Sequence, residues 1–326
     1  MTRFYDARGN IYGVVSPEAL REAGIGLPAS APECAASRQA WSDAAISYCC
    51  DWPAGQRPAH SKAHRSDGLL IGPFQAAPPF DVLIVNTDGT LAERSGNGLT
   101  IFSQALTEQG LMPDAGAVLR VHHDKGDAVE TSVKPATVDA VRGFWLDLGQ
   151  PGFGPDAVGA PQVEEVQFNG RAVSRIPPLA GLDPAWTHSQ FVRIGNPHCV
   201  TLLDDPGALP SNEQMTESTL NEGLTRIAYA MPIGSGKPCP AGVNLQWAAL
   251  QSPQKIHARV FERGEGPTAS SGTSASAVAS AAWRVGWVVA GEVQVMMPGG
   301  TAPVLLEVAD EELVRVRLFG TARLMG

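Results

Sequence analysis

Residues 95–110 read SGNGLTIFSQALTEQG, and residues 271–286 read SGTSASAVASAAWRVG. Each stretch opens on Ser-Gly, runs through an apolar segment and closes on a glycine fifteen residues after the serine. Serine suits a helix N-cap and glycine the position just past a helix C-terminus, so both stretches predict one helix each. The second is small and apolar nearly all round, which places it inside a sheet. Helix starts collect unpaired N–H groups and the positive end of the dipole, and so favour an anion such as a carboxylate. Two such starts, each tipped by a nucleophile-type side chain, suit a carboxylate held between two facing groups, the geometry of a two-base racemase.

Outward from these stretches, strand patterns appear on both sides. FYDARGNIYGVV reads as a strand, a Gly-Asn turn and a second strand. SPEALREAG (16–24) predicts a short helix with Ser16 as N-cap, Pro17 at its first position and Glu18 in its first turn. LLIGPF (69–74) and FDVLIVNTDG (80–89) read as strands before the first Ser-Gly helix. VLRVHHD (118–124) and VETSVKP (129–135) read as a hairpin after it. A second cycle follows, with β-rich runs at 144–155, 191–205 and 245–264, the second Ser-Gly helix, and strands at 293–300, 304–308 and 314–320. The chain therefore reads as a duplication.

With 326 residues and 44% hydrophobic content, the chain is long enough for two domains with real cores. Net charge is −9 and no dense Lys/Arg run is present, which argues against nucleic acid and anionic membrane as partners. No apolar run approaches the roughly 18–20 residues of a membrane helix, and the first residues lack a signal-peptide pattern. A cytoplasmic location is expected. The five cysteines, Cys34, Cys49, Cys50, Cys199 and Cys239, are irregularly spaced and are expected to be free thiols. His122-His123-Asp124 lies on a predicted strand, where neighbours point to opposite faces, so no metal site is expected there. No phosphate loop, dinucleotide fingerprint or pyridoxal-type lysine context is visible, and no cofactor is expected.

Taken in order along the chain, several segments resemble diaminopimelate epimerases. ARGNIYGVV (7–15), RSDGLLI (65–71), NTDGTLAERSGNG (86–98), IGNPHCV (194–200), GVN (242–244), FERGEGPTASSGTSA (261–275), MPGG (297–300) and LFGTARLMG (318–326) are each similar to a segment of that family. The resemblance implies a cofactor-independent epimerase or racemase acting next to a carboxylate. It implies an α+β fold of two pseudo-symmetric domains, each a β-sheet or barrel wrapped around a central helix, with the site in the cleft between them. The domains are expected at 1–140 plus 313–326 and at 141–312. Extra length relative to the family falls at about 25–62 and 205–240, expected as surface insertions, one of which could cover the cleft. A homodimer is expected at family level, with a small amino acid or other carboxylate as ligand and a role in lysine biosynthesis.

Carried over by residue, the family's two catalytic cysteines fall on Ser95 and Ser271. Amide donors for the substrate α-carboxylate fall on Gly96-Asn97 and Gly272-Thr273. Polar groups for the distal end of the substrate fall on Asn10, Asn86, Asn196, Asn244, Glu262 and Arg263, and His198 matches the family histidine. A thiolate, with a reference pKa of about 8.5, can remove a weakly acidic Cα proton. A serine hydroxyl is far less acidic and needs another base, for which His198 and Glu262 are the candidates. Three readings follow: a serine-based epimerase or related isomerase; an isomerase or hydratase using another base, with the serines as donors; or a binding protein without turnover. Structural alternatives stand beside the roles. The serines could be caps only, the asparagines could serve turns, Glu262 could pair with Arg263, and His198 could be a hydrogen-bonded structural histidine. Cys49 or Cys50 could act as a relocated thiol if the 25–62 segment folds over the cleft.

Overall fold

Strand alternation sets the layers. In LLI (69–71) and FDVLIV (80–85) both alternate faces are apolar, the pattern of a sheet buried on both sides. The computed structural model describes residues 2–59, 61–160 and 162–325. The chain divides into two compact units, Met1–Asp147 with Gly320–Gly326, and Leu148–Phe319.

In the first unit the strands are β1 (Arg3–Ala7), β2 (Asn10–Val15), β3 (Gly68–Ile71), β4 (Phe80–Asn86), β5 (Ala117–Val121), β6 (Val129–Val138) and β7 (Val141–Gly149). Its helices are α1 (Pro17–Glu22), α2 (Ala31–Ala36), α3 (Ser42–Cys50) and α4 (Gly96–Glu108). Neighbouring strands pair in chain order: β1–β2 antiparallel, β2–β3 parallel, β3–β4 antiparallel, β4–β5 parallel, then β5–β6 and β6–β7 antiparallel. The parallel step from β4 to β5 is the one that α4 bridges. The strand expected at 69–74 stops at Ile71, because Pro73 has no N–H to offer a ladder.

The second unit carries β8 (Gly152–Phe153), β9 (Glu164–Phe168), β10 (Arg171–Arg175), β11 (Ser189–Ile194), β12 (Asn196–Leu203), β13 (Asn244–Ser252), β14 (Lys255–Glu262), β15 (Gly266–Thr268), β16 (Gly291–Met297), β17 (Gly300–Ala309) and β18 (Glu312–Gly320). Its helices are α5 (Pro177–Leu182), α6 (Asn212–Thr216), α7 (Ser218–Ala228) and α8 (Gly272–Arg284). The pairing senses from β11 onward are β11–β12 antiparallel, β12–β13 parallel, β13–β14 antiparallel, β14–β16 parallel, then β16–β17 and β17–β18 antiparallel. That series repeats the first unit step for step, with α8 where α4 was. The final strand, β19 (Arg323–Leu324), returns to pair with β1. The fold is α+β and internally duplicated, as the two Ser-Gly stretches predicted.

Each sheet separates two cores. Leu70, Val82 and Ile84 face α4, packing with Leu99, Phe102 and Leu106. Leu69, Ile71, Leu83 and Val85 face the other way, onto Ile25, Leu27, Cys34, Trp41, Ile46 and Cys50. In the second unit Val200, Ala258 and Val260 pack on Ala275, Val278 and Ala282 of α8. Cys199, Trp247 and Phe261 pack on Met215, Leu224, Ile227 and Cys239. The 25–62 and 205–240 segments are therefore more than surface insertions: each buries apolar side chains and supplies the outer layer of a sheet. The five cysteines are free and buried. Burial pushes the Cys34 and Cys50 thiols up to about 11 and raises Cys49 as well. Cys49 and Cys50 belong to the outer core of their unit, away from any nucleophilic role. Among the described residues no cluster of three or more His, Cys, Asp or Glu is arranged to hold a metal, and no helix is long and apolar enough to cross a membrane.

Candidate active site

Ser95 and Ser271 are the N-caps of α4 and α8, with nearly the same backbone, φ −144° and ψ 117° against φ −148° and ψ 122°. Each Oγ accepts from the amide three residues on, Gly98 N at 3.0 Å and Ser274 N at 3.4 Å. The helices also end alike. Gly110 and Gly286 take φ of +69° and +75°, and the residue after each donates back to the last turn, Leu111 N to Leu106 O and Trp287 N to Ala282 O, both 2.9 Å. This is the left-handed glycine closure expected of the sequence.

The cap serine takes the third amide of each helix. The first two amides, on Gly96 and Asn97 and on Gly272 and Thr273, have no carbonyl one turn earlier to bond, as at any helix start. They and the dipole give each helix start the polarity that favours an anion.

The surroundings of the two serines differ. In the first unit, Tyr12 on β2 brings its hydroxyl 3.4 Å from Ser95 Oγ. Asn10 lies at the start of β2, two residues before Tyr12, beyond the tight corner at Arg8-Gly9. Asn86 closes β4, and its Nδ2 donates to Thr90 Oγ1 at 2.9 Å, inside a turn also held by Asn86 N to Thr90 O at 2.8 Å. Arg38, from the segment between α2 and α3, reaches that turn at Gly89 O, 3.4 Å away. Arg94, just before Ser95, is desolvated enough to lower its pKa.

In the second unit, Ser271 is 7% exposed, and its hydroxyl lies close enough to the Glu262 carboxyl at the end of β14 to act on that group's pKa. Burial raises the Glu262 pKa; the Ser271 hydroxyl pulls the other way, and Glu265 adds to the rise. Asn244 Oδ1 accepts from Arg263 N at 2.9 Å, which fixes the corner after Glu262. The Arg263 guanidinium bonds Ala241 O and is exposed. Asn196 is exposed at the start of β12, next to the Gly195 corner. His198 is fully buried, aligned with Asn244 across the β12–β13 ladder. Burial pushes His198 down to about 3; the Ile194 backbone opposes the shift and Arg263 adds to it. A histidine so placed is neutral at physiological pH.

The sequence reading therefore converges within each unit. Ser95, Gly96 and Asn97 share one helix start; Ser271, Gly272, Thr273 and Glu262 share the other, with Asn244 and Arg263 at the adjoining corner. Tyr12 and Gln246 were missed. Gln246 shares a strand face with Asn244 by the two-residue period, a signal that could have found it. Tyr12 lies within a segment already matched to the family, but its type gave no chemical cue.

Comparison with known proteins gives the family and the fold. A family model described as diaminopimelate epimerase matches residues 190–324. Diaminopimelate epimerase 2 of Nostoc sp. is 32% identical over 248 residues, covering 76% of this chain and 75% of the relative. The diaminopimelate epimerase of Burkholderia ambifaria is 30% identical over 262 residues, covering 79% and 81%. Among solved structures, a PhzF-family phenazine biosynthesis protein of Bacillus anthracis superposes with a TM-score of 0.58 at 13% identity, covering 100% of this chain and 96% of that one. A methylitaconate-delta-isomerase superposes with a TM-score of 0.57 at 13% identity, covering 100% and 93%; at these identities the likeness is one of fold. From its own paired helix starts and from these relatives, the chain belongs to the diaminopimelate epimerase family.

Proposed function

We propose that this protein is a cofactor-independent amino-acid epimerase or racemase in which serine stands at both positions of the family's catalytic cysteines. The observation that carries the reading is the Ser271 hydroxyl at a helix start, beside a carboxyl whose pKa burial has raised. A lone serine is too weak an acid to act, since each pKa unit costs about 1.4 kcal/mol. A relay avoids the free alkoxide. Ser271 Oγ takes the substrate Cα proton while its own proton passes to Glu262. One C–H bond and one O–H bond break, two O–H bonds form, and the electron pair moves onto the substrate carboxylate as an enolate. The Gly272 and Thr273 amides at the helix start stabilise that developing charge, in the manner of an oxyanion hole.

Ser95, with Gly96 and Asn97, is the equivalent serine-capped helix start of the first unit and the second candidate proton-transfer group. Asn10 and Asn86 in the first unit, and Asn196, Asn244 and Arg263 in the second, are the candidate polar contacts of each unit to a ligand, Arg263 through its planar fork. The names of the curated relatives support diaminopimelate as the first substrate to try, which would set the protein in lysine biosynthesis in the cytoplasm. The test incubates the protein with single diaminopimelate stereoisomers and a panel of single-enantiomer amino acids, and follows the products by chiral chromatography. Appearance of the opposite configuration at one Cα supports the reading. Unchanged stereochemistry for every compound, with one of them raising Tm, leaves a binding protein.

A further inference from the structure

Gln246 on β13 is fully buried, and its amide meets two polar groups. Its Nε2 lies 3.0 Å from Nδ1 of His198 and 3.0 Å from Oγ of Ser274, in the first turn of α8. Ser274 N in turn donates to Ser271 Oγ. A chain of polar contacts thus runs from His198 through Gln246 to the cap serine.

The orientation of that amide decides the chemistry of the histidine. As placed, both Nε2 hydrogens are used, and among the described residues Oε1 is the atom without a partner. The reversed amide would strand two donors where Oε1 now lies, and buried orphan N–H groups are rarer than under-satisfied carbonyls. A neutral imidazole that accepts at Nδ1 carries its proton on Nε2. Among the described residues His198 Nε2 has no partner, although it is buried. It is an oriented donor with no acceptor at hydrogen-bond geometry among the described residues, the Ile194 backbone acting on the ring more weakly.

We infer that Gln246 is a positioning residue that fixes His198 as its neutral Nε2–H tautomer, so that His198 serves the site as a hydrogen-bond donor and proton removal falls to Glu262 with Ser271. The use made of that donor rests on the proposed function; the tautomer does not.

The experiment is a long-range ¹H–¹⁵N correlation of the histidine rings in the full-length, uniformly ¹⁵N-labelled protein near neutral pH. His198 is assigned by the signals lost in His198→Asn. The expected spectrum is a protonated Nε2 and an unprotonated Nδ1. Gln246→Met, similar in size but without a donor, is expected to lose that bias and give mixed tautomers. In Gln246→Glu the carboxylate is expected to draw a proton onto Nδ1, and this variant gives the decision if the methionine variant does not fold. A wild-type His198 protonated on Nδ1, or an unchanged tautomer in both variants, would overturn the inference. The spectrum needs no turnover, so a protein inactive on every substrate would refute the function and still report the tautomer.

Discussion

Tyr12 Oη lies 3.4 Å from Ser95 Oγ. Tyr12 is two residues past Asn10 on the second strand of the first unit's pairing series, and His198 is two past Asn196 on the second strand of the repeated series. Duplicated scaffolds thus carry different groups at matching places. The phenol of Tyr12 reaches the cap serine of its unit, whereas the ring of His198 meets Gln246. Tyr12→Phe removes the hydroxyl and keeps the packed ring. It is expected to slow Cα–H exchange by up to about tenfold, the scale of one hydrogen bond, with Tm nearly unchanged; rate and melting measurements on the same preparation check both parts.

Glu262 should set the acid limb of the activity profile. The relay needs its carboxylate, and burial raises the pKa, so activity is expected to fall with decreasing pH through a value above the ordinary carboxylate range. Glu262→Gln is expected to lose about 10²–10⁴-fold in rate, the range for removing a general base, and to abolish that limb.

The same shift predicts a stability effect of opposite sign. A carboxyl whose folded pKa is raised binds more protons folded than unfolded, so its contribution is full below the unfolded pKa and is lost as pH rises through the folded one. Glu262→Gln removes this cost. The variant should melt at or above wild type at pH 8, and the difference should shrink towards pH 4. A variant less stable than wild type at pH 8 would mean that the Ser271 contact outweighs burial.

Replacing both cap serines by cysteine should raise epimerase activity. A thiol starts near pKa 8.5 and is lowered further at a helix start, so proton transfer no longer depends wholly on the relay. At least a tenfold gain in kcat is expected for Ser95→Cys with Ser271→Cys, with the limb due to Glu262 weakened.

Gly299 supports the entry to α8 from behind. Its N donates to Ala269 O at 2.7 Å, and a Cβ there would lie 2.9 Å from that same oxygen. Gly299→Ala must push on the backbone two residues before Ser271. A cost of about 1–3 kcal/mol is expected, as for overpacking elsewhere, seen as a lower Tm together with a lower kcat.

The duplication was readable from residues 95–110 and 271–286 because serine caps and glycine closures have strict local requirements, and both occur at the same spacing. The helix starts and the Glu262 corner followed from segment order. The outer layers were harder to read. Their short helices, such as Ala31–Ala36 and Asn212–Thr216, bury side chains against strands distant in sequence, whereas extra length relative to the family suggested surface insertions. Asn86 and Asn244 were read as ligand groups, whereas each also holds its own corner, through Thr90 and Arg263 N. Gln246 stayed hidden because its partners, His198 and Ser274, meet it only through strand pairing and helix packing.

The central claim is that Ser271, relayed to Glu262, moves the proton at Cα. Its most direct test is NMR in D₂O with diaminopimelate stereoisomers and the amino-acid panel, following loss of the Cα–H signal for wild type, Ser271→Ala and Glu262→Gln. Deuterium entering one substrate with wild type, and exchange falling by at least about 10²-fold in both variants, is the predicted result. Wild-type rates in Ser271→Ala, or no exchange into any compound by the wild-type protein, would contradict it.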